Sequence, residues 1–245
     1  LIMINKNLQN QVTIIILATD EETILENTIK VILDENKEYI CEICIITPDR
    51  VSKGCLDTIK KIKFLFGSKI SHQYQPSEYP GYGGASIYGI SLVKTDYFIF
   101  LDADGETDPF EVKNLIYNLE NTSNDIISCS RWLSSNWVNQ YGVINYILNW
   151  IFQKFTSLLY FSNLTDYTVG YRIYPTRIMK EMNFKNLNQS FSLETILIPI
   201  RKGLKIKEIP YKFIKRTEGQ SENTIINKLK YIKTLFECRS VSYTH

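Results

Sequence analysis

The stretch Phe98-Ile99-Phe100-Leu101-Asp102-Ala103-Asp104-Gly105-Glu106-Thr107-Asp108-Pro109 decides how this chain is read. With Tyr97 it opens on an unbroken apolar run, which suits a strand buried on both faces of a parallel sheet. Asp102 and Asp104 stand at the carboxyl end of that run, where open α/β sheets bind their ligands. Residues i and i+2 of an extended chain point the same way, so both carboxylates can face one ligand. Hard carboxylate oxygens beside phosphate oxygens are what Mg²⁺ or Mn²⁺ prefers. The plainer alternative is that the two aspartates end a strand and cap the next helix. The apolar run before them, and Glu106, Asp108 and Pro109 after them, favour a ligand site.

Working outward, Val12–Ala18 is a second buried strand, and Thr19-Asp20-Glu21-Glu22 offers a cap and an acidic first turn to a helix carrying Ile24, Leu25, Ile29, Ile32 and Leu33. Ile43–Thr47 reads as strand, Asp57–Phe66 as helix and Lys69–Gln75 as strand. Gly81–Gly84 reads as a turn leading into a helix to about Val93. Pro109 belongs in the first turn of a helix to about Leu119, and Ile126–Ser130 is a further strand. This alternation predicts an α/β fold with a doubly wound, mostly parallel sheet. The remainder is richer in helix, with one clear strand at Ile206–Phe213. We expect one domain over residues 1–245, with a nucleotide-binding half to 130 and a helix-rich, acceptor-side half from 131.

Hydrophobic content of 44% provides for a substantial core, and a charged fraction of 22% excludes a disordered chain. Residues 201–245 hold 11 Lys/Arg against 4 Asp/Glu, while the other 200 hold 17 against 22. A basic end on a mildly acidic body suits phosphates or an anionic membrane surface, and the acidic body argues against nucleic acid. Cys41 and Cys44 form a C-x-x-C pair inside a strand, with neither a second pair nor a His cluster. They read as ordinary buried thiols in a reducing compartment. Leu1–Gln11 is polar and no run approaches the ~20 apolar residues of a spanning helix. The expected location is cytoplasmic, peripheral at the inner membrane face. Tyr146–Phe161, with Trp150, Phe152, Phe155, Tyr160 and Phe161, is an apolar stripe. So is Ile225, Ile226, Leu229, Ile232 and Phe236, set among Lys228, Lys230 and Lys233. Such stripes serve as core, as a homodimer interface or as a membrane contact.

Several segments together resemble the family-2 inverting glycosyltransferases of GT-A type, and most closely the dolichol- or polyprenyl-phosphate sugar synthases. Phe98–Pro109 is similar to that family's D-x-D region. "VTIIILATDE" (Val12–Glu21) is similar to its opening strand and P-x-Y-N-E turn, and "GYGGASIYG" (Gly81–Gly89) to its glycine-rich turn and helix. Ser130-Arg131 resembles G-S-R. "DYTVGYR" (Asp166–Arg172) resembles D-x-x-S-G-F-R, and "EIPYKFIKRTEGQS" (Glu208–Ser221) resembles E-V-P-I-x-F-x-x-R-x-x-G-x-S. Leu17, Thr19 and Asp20 depart from the opening motif. Ile46-Thr47-Pro48-Asp49-Arg50 replaces V-D-D-G-S, and Tyr82 stands where Lys is frequent.

The resemblance implies transfer of a sugar from a UDP- or GDP-sugar with inversion, assisted by Mg²⁺ or Mn²⁺. It implies metal ligation by Asp104, with Asp102 on the nucleoside side and in the metal set, and Glu106 where a Gln often joins. Thr19, Glu21 and Gly83 fall on the nucleotide side. Arg131, Arg172 and Arg216 are the cations for the diphosphate and an anionic acceptor, because the guanidinium fork suits phosphate. Asp166 or Glu194 would be general base for a hydroxyl acceptor, whereas a phosphate acceptor needs none. Polyprenyl phosphate is the acceptor the motifs favour, with a small soluble acceptor as the alternative. Rival classes fit less well. Gly81-Tyr82-Gly83-Gly84 lacks the dinucleotide spacing of an oxidoreductase. Ala18–Glu22 lacks the glycine a nucleotidyltransferase loop needs. A non-enzymatic membrane-surface binding module leaves the carboxylate pair unexplained.

Overall fold

A computed structural model describes residues 7–134, 142–212 and 225–240, the side chains of 225–229 excepted. Its strands are β1 (Val12–Leu17), β2 (Ile40–Thr47), β3 (Ile70–Tyr74), β4 (Tyr97–Asp102), β5 (Ile126–Ser130), β6 (Arg172–Pro175) and β7 (Ile206–Pro210). The helices are α1 (Thr23–Asn36), α2 (Lys53–Phe66), α3 (Gly81–Leu92), α4 (Glu111–Glu120), α5 (Val143–Tyr160), α6 (Thr176–Lys180), α7 (Phe191–Arg201) and α8 (Ile225–Ser240). The strands form one sheet in the order β3-β2-β1-β4-β6-β5-β7. Only β6 runs antiparallel to its neighbours, β4 and β5.

The expected doubly wound sheet is therefore present, with one strand that the sequence reading omitted. Strand β6 comes from the second half of the chain and lies between β4 and β5 of the first, so the sheet does not divide at residue 130. Strand β7 stops at Pro210, short of the expected Phe213, which lies outside the described residues.

Side chains alternate across the sheet as the pleat requires. Ile14, Ile16, Ile99 and Leu101 face one layer, with α1, α2 and α4 supplying Leu25, Ile59 and Leu115. Ile15, Phe98 and Phe100 face the other, with Ala85 of α3, Met179 of α6 and Leu193 of α7. Phe98 stacks on Tyr174 at 5.2 Å, and Phe100 meets Phe191 edge-on at 6.0 Å. Fully burying each such ring stabilises by about 1.5–3 kcal/mol. Helix α3 lies flush on the sheet because Gly89 is bare, as a Cβ there would come within 2.8 Å of Ile15.

Four helix starts differ from expectation. Helix α2 begins at Lys53 rather than Asp57, and Pro109 lies before α4 rather than in its first turn. Glu22 occupies the N-cap of α1 without a side-chain cap bond, and the neighbouring Glu21 carboxylate turns back to Thr19 N and Asp20 N. Helix α3 begins at Gly81, so the glycine-rich turn is already helix. Cys41 is exposed while Cys44 is buried. Three residues apart on a strand, they face opposite sides, so Cys41 is not the buried thiol expected.

Candidate active site

The parallel pairing of β1 with β4 sets Leu17 level with Asp102. Both strands end at one edge of the sheet, which brings the loop after β1 beside the carboxylate pair. Thr19 is half-buried there, and Ser52 N donates to its carbonyl at 2.9 Å. Glu21 spends its Oε2 on Thr19 N (2.7 Å) and Asp20 N (3.0 Å), so it shapes this turn.

The acidic loop after β4 is tightly braced. Gly105 turns the chain at φ 80°, a left-handed conformation in which glycine pays no steric penalty. Glu106 N then donates to Asp104 Oδ1 at 3.0 Å, and Thr107 Oγ1 donates to Asp102 O at 3.1 Å. Two tyrosines hold the loop from behind. Tyr211 Oη donates to Glu106 O at 2.5 Å, and Tyr171 Oη donates to Asp108 O at 2.8 Å. Their rings meet edge-on at 5.6 Å, and burial pushes both phenols above the ordinary tyrosine range, so they remain donors. Neither was expected as a site residue, although Tyr171 lies in "DYTVGYR" and Tyr211 just after Glu208. Asp102 also takes a longer bond, 3.4 Å, from Tyr82 Oη on α3.

No group of three or more His, Cys, Asp or Glu among the described residues could hold a metal alone. Mg²⁺ takes one or two carboxylates and completes its shell with substrate phosphates and water. The donor chemistry of Asp102 and Asp104 fits that pattern. Glu106 contributes its backbone to the loop, and its N–H secures Asp104.

The cations and bases fall elsewhere than expected. Asp166 is wholly buried and paired with Arg131 in a fork, Nε to Oδ2 at 2.7 Å and a terminal nitrogen to Oδ1 at 2.8 Å. It also accepts from Arg131 N, Thr168 N, Thr168 Oγ1 and Val169 N. Burial acts to raise the Asp166 carboxyl, but Arg131 beside it outweighs burial and holds it below the ordinary range. In this structure both oxygens of Asp166, expected as a base, are occupied by these donors. Arg172 is fully buried as well. It donates to Ser128 Oγ, Ser192 O and Tyr167 O, so it ties β5, α7 and the Asp166 loop together and is no diphosphate clamp in this structure. Glu208, which was not singled out, accepts from Thr165 N, Thr165 Oγ1 and Asp166 N at 2.7–2.9 Å, and burial raises its carboxyl. Arg216 lies outside the described residues.

Glu194 is buried on α7, and its two oxygens receive Lys185 N and Asn186 N. Burial lifts its carboxyl above the ordinary range, although these amides work against the rise. That loop packs onto the head of α3, where Gly83 N donates to Leu187 O and a Cβ on Gly83 would lie 2.0 Å from Asn186 O. The crossing backbone of Asn186 is by itself reason for Gly83 to be bare. Glu194 therefore supports a loop beneath α3, and through α3 reaches Tyr82 and Asp102.

A mostly parallel GT-A sheet with a carboxylate pair at the end of β4 is the framework of a glycosyltransferase, and the family comparison gives that class. The model of glycosyl transferase family 2 matches residues 13–182, and the chain belongs to that family. A protein of Methanocaldococcus jannaschii of uncharacterized role is 24% identical over 236 residues, covering 96% of this chain and 93% of its own. The undecaprenyl-phosphate mannosyltransferase of Micrococcus luteus is 25% identical over 148 residues, 58% of this chain and 60% of its own. Among solved structures, glucosyl-3-phosphoglycerate synthase of Mycobacterium tuberculosis, in complex with Mn²⁺, uridine diphosphate and phosphoglyceric acid, superposes with TM-score 0.70. It does so at 12% identity, over 96% of this chain and 80% of that one. That likeness shows the fold.

Proposed function

We propose that this chain transfers a sugar from a nucleoside-diphosphate sugar to polyprenyl phosphate at a membrane surface, with inversion. The observation that carries the acceptor class is the state of the two expected bases. Asp166 is committed to Arg131 and Glu194 to the 185–186 backbone. An acceptor hydroxyl must lose a proton as it attacks, whereas a phosphate is already ionised and needs no base. The acceptor phosphate oxygen attacks the anomeric carbon from the face opposite the diphosphate. The new C–O bond forms as the old one breaks, and the nucleoside diphosphate leaves with the bonding pair. Asp102 and Asp104 would hold a Mg²⁺ or Mn²⁺ together with the diphosphate, and that ion would supply positive charge to offset the charge developing on the leaving group. The Mycobacterium tuberculosis enzyme carries Mn²⁺ or Mg²⁺ with uridine diphosphate, which supports such a donor here. The Micrococcus luteus relative supports the lipid phosphate.

The outer face of α5 supports a membrane site. Ile144, Ile147, Leu148, Ile151, Phe155 and Leu158 form one exposed stripe at helical spacing, with Ile144 75% and Leu158 72% exposed. Phe236 of α8 lies beside Phe155 at 6.3 Å and continues the stripe. Lys154, Lys230, Lys233 and Arg239 are exposed on the same two helices, Glu237 of α8 pairs with Lys233 at 3.5 Å, and α5 contains no acidic residue. No helix among the described residues is long and apolar enough to cross a membrane. An apolar stripe rimmed by cations suits shallow, salt-sensitive binding to anionic lipid.

The test combines two assays. Thermal stabilisation by UDP or GDP should require Mn²⁺ or Mg²⁺. Co-sedimentation with anionic liposomes should be strong at low salt and weak at high salt, with transfer to polyprenyl phosphate. Absence of liposome binding at low salt, with transfer only to a soluble hydroxyl, overturns the lipid reading. It would leave a small soluble acceptor, such as the phosphoglyceric acid seen in the Mycobacterium tuberculosis complex.

A further inference from the structure

Glycines around the site are bare for reasons that can be read one by one. A Cβ on Gly83 would meet Asn186 O at 2.0 Å, one on Gly84 would meet Tyr79 backbone at 2.3 Å, and one on Gly89 would meet Ile15. Gly81 has φ 73° and would also strike Leu187 O. Gly170 has none of these reasons. It is not among the positive-φ glycines, and a Cβ there would find its nearest atoms, Ser192 Cβ and Tyr82 Oη, at 3.8 and 3.9 Å. That is ordinary van der Waals contact. Neither the backbone nor the packing of this chain asks for glycine at 170.

The space that the missing methyl leaves is chemically specific. One wall is the Tyr82 hydroxyl, which donates to Asp102 Oδ1 at 3.4 Å. Gly170 and Tyr82 are both half-buried. Gly170 precedes Tyr171, which braces the acidic loop, and follows Val169, whose amide donates to Asp166. The segment is thus held at both ends and offers bare backbone between them. Glycine where no internal contact requires it, facing a polar group beside the carboxylate pair, marks a close approach of ligand to backbone.

We propose that Gly170 and Tyr82 form the floor on which the transferred sugar sits, Gly170 admitting the ring against the backbone and Tyr82 Oη accepting from one of its hydroxyls. This rests on the reading of a nucleotide-sugar donor. The donor sugar, not the acceptor, is assigned because Tyr82 Oη reaches Asp102, which ends β4 level with Leu17 and so stands beside the loop after β1. Tyr82 is suited to the task, since it gives its single proton to Asp102 and keeps lone pairs for a donor from the ligand.

The experiment compares wild type, Gly170→Ala and Tyr82→Phe in the full chain with Mn²⁺ and no acceptor. Titration with UDP, UDP-glucose, GDP and GDP-mannose gives dissociation constants, and melting temperature reports folding. Gly170→Ala should melt as wild type does, bind the nucleoside diphosphate as before, and lose about tenfold or more for the nucleotide sugar. Tyr82→Phe should narrow the preference between sugars epimeric at one hydroxyl, because a site built to bond a hydroxyl discriminates strongly. Equal weakening for diphosphate and sugar nucleotide, a loss confined to acceptor KM, or a large fall in melting temperature for Gly170→Ala each overturn the assignment. Failure of wild type to bind either diphosphate would remove the donor reading itself, and the seat with it.

Discussion

Replacing Asp166 by Asn tests whether this carboxylate anchors the site or takes a proton. Oδ1 accepts from an Arg131 terminal nitrogen, Thr168 N, Thr168 Oγ1 and Val169 N; Oδ2 accepts from Arg131 N and Nε. An asparagine must turn its NH₂ towards one of these sets, so at least two N–H donors would face another donor. It also leaves the Arg131 charge, only 10% exposed, without its counter-ion. Removing one partner of such a buried pair costs about 3–5 kcal/mol, and in a chain of this size that lowers Tm by about 6–20 °C. The pH dependence has a definite sign. Because Arg131 holds the Asp166 carboxyl below its unfolded value, the pair's stability is complete above the ordinary carboxylate range. It fades as pH falls through the folded value, so the gap between wild type and Asp166→Asn should narrow in acid. Thermal melts from neutral to acidic pH measure this, and Asp166→Leu with Arg131→Met should recover part of the loss. A variant that melts as wild type does, yet loses the acid limb of its kcat/KM profile, would refute the anchor and restore the base.

The other predictions follow from single contacts. Asp104→Asn should fold normally and lose metal-dependent transfer, measured as turnover across a Mn²⁺ titration. Gly83→Ala should destabilise by about 1–3 kcal/mol, since its Cβ would meet backbone rather than a movable side chain, and a urea melt checks this. Glu194→Gln should loosen the 185–187 loop and weaken nucleotide binding without shifting the pH optimum. A shifted optimum would mark Glu194 as a titrating catalytic group. The product anomer, read by NMR, should be inverted relative to the donor.

Residues whose neighbours in sequence determine their surroundings were legible beforehand. The apolar run of β4 and the carboxylates after it announce a strand end whatever else the chain does, and β1 and β5 are equally self-contained. Strand β6 was not, because Arg172-Ile173-Tyr174-Pro175 is short, opens on a charge and closes on proline. It is a strand only because β4 and β5 flank it. The same limit explains the charged residues. Asp166, Arg172 and Glu194 look like ligand contacts when only their chemistry is known, yet Asp166 and Arg172 are taken up by partners from distant segments and Glu194 by the loop just before its helix. The glycines of "GYGGASIYG" suggest a nucleotide contact, whereas Gly81 and Gly83 are bare against the backbone of 186–187, Gly84 against that of Tyr79 and Gly89 against Ile15. Tyr171 and Tyr211 sat within or beside the quoted motifs, but their work on the acidic loop depends on a sheet that only folding assembles.

The insertion of β6 between β4 and β5 constrains the order in which this chain can fold. While the ribosome has delivered only the first 130 residues, β3, β2, β1 and β4 can assemble, but β4 keeps an open edge bearing Phe98 and Phe100. Strand β5 has no partner at all until β6 and β7 emerge, some forty to eighty residues later. Such long-range closure is slow, and an unpaired apolar edge invites pairing with another nascent copy. A fragment cut at the apparent boundary near residue 130 would therefore not be a smaller nucleotide-binding protein but an aggregation-prone half-sheet. Chaperone demand during synthesis should fall only once Pro210 has cleared the exit tunnel.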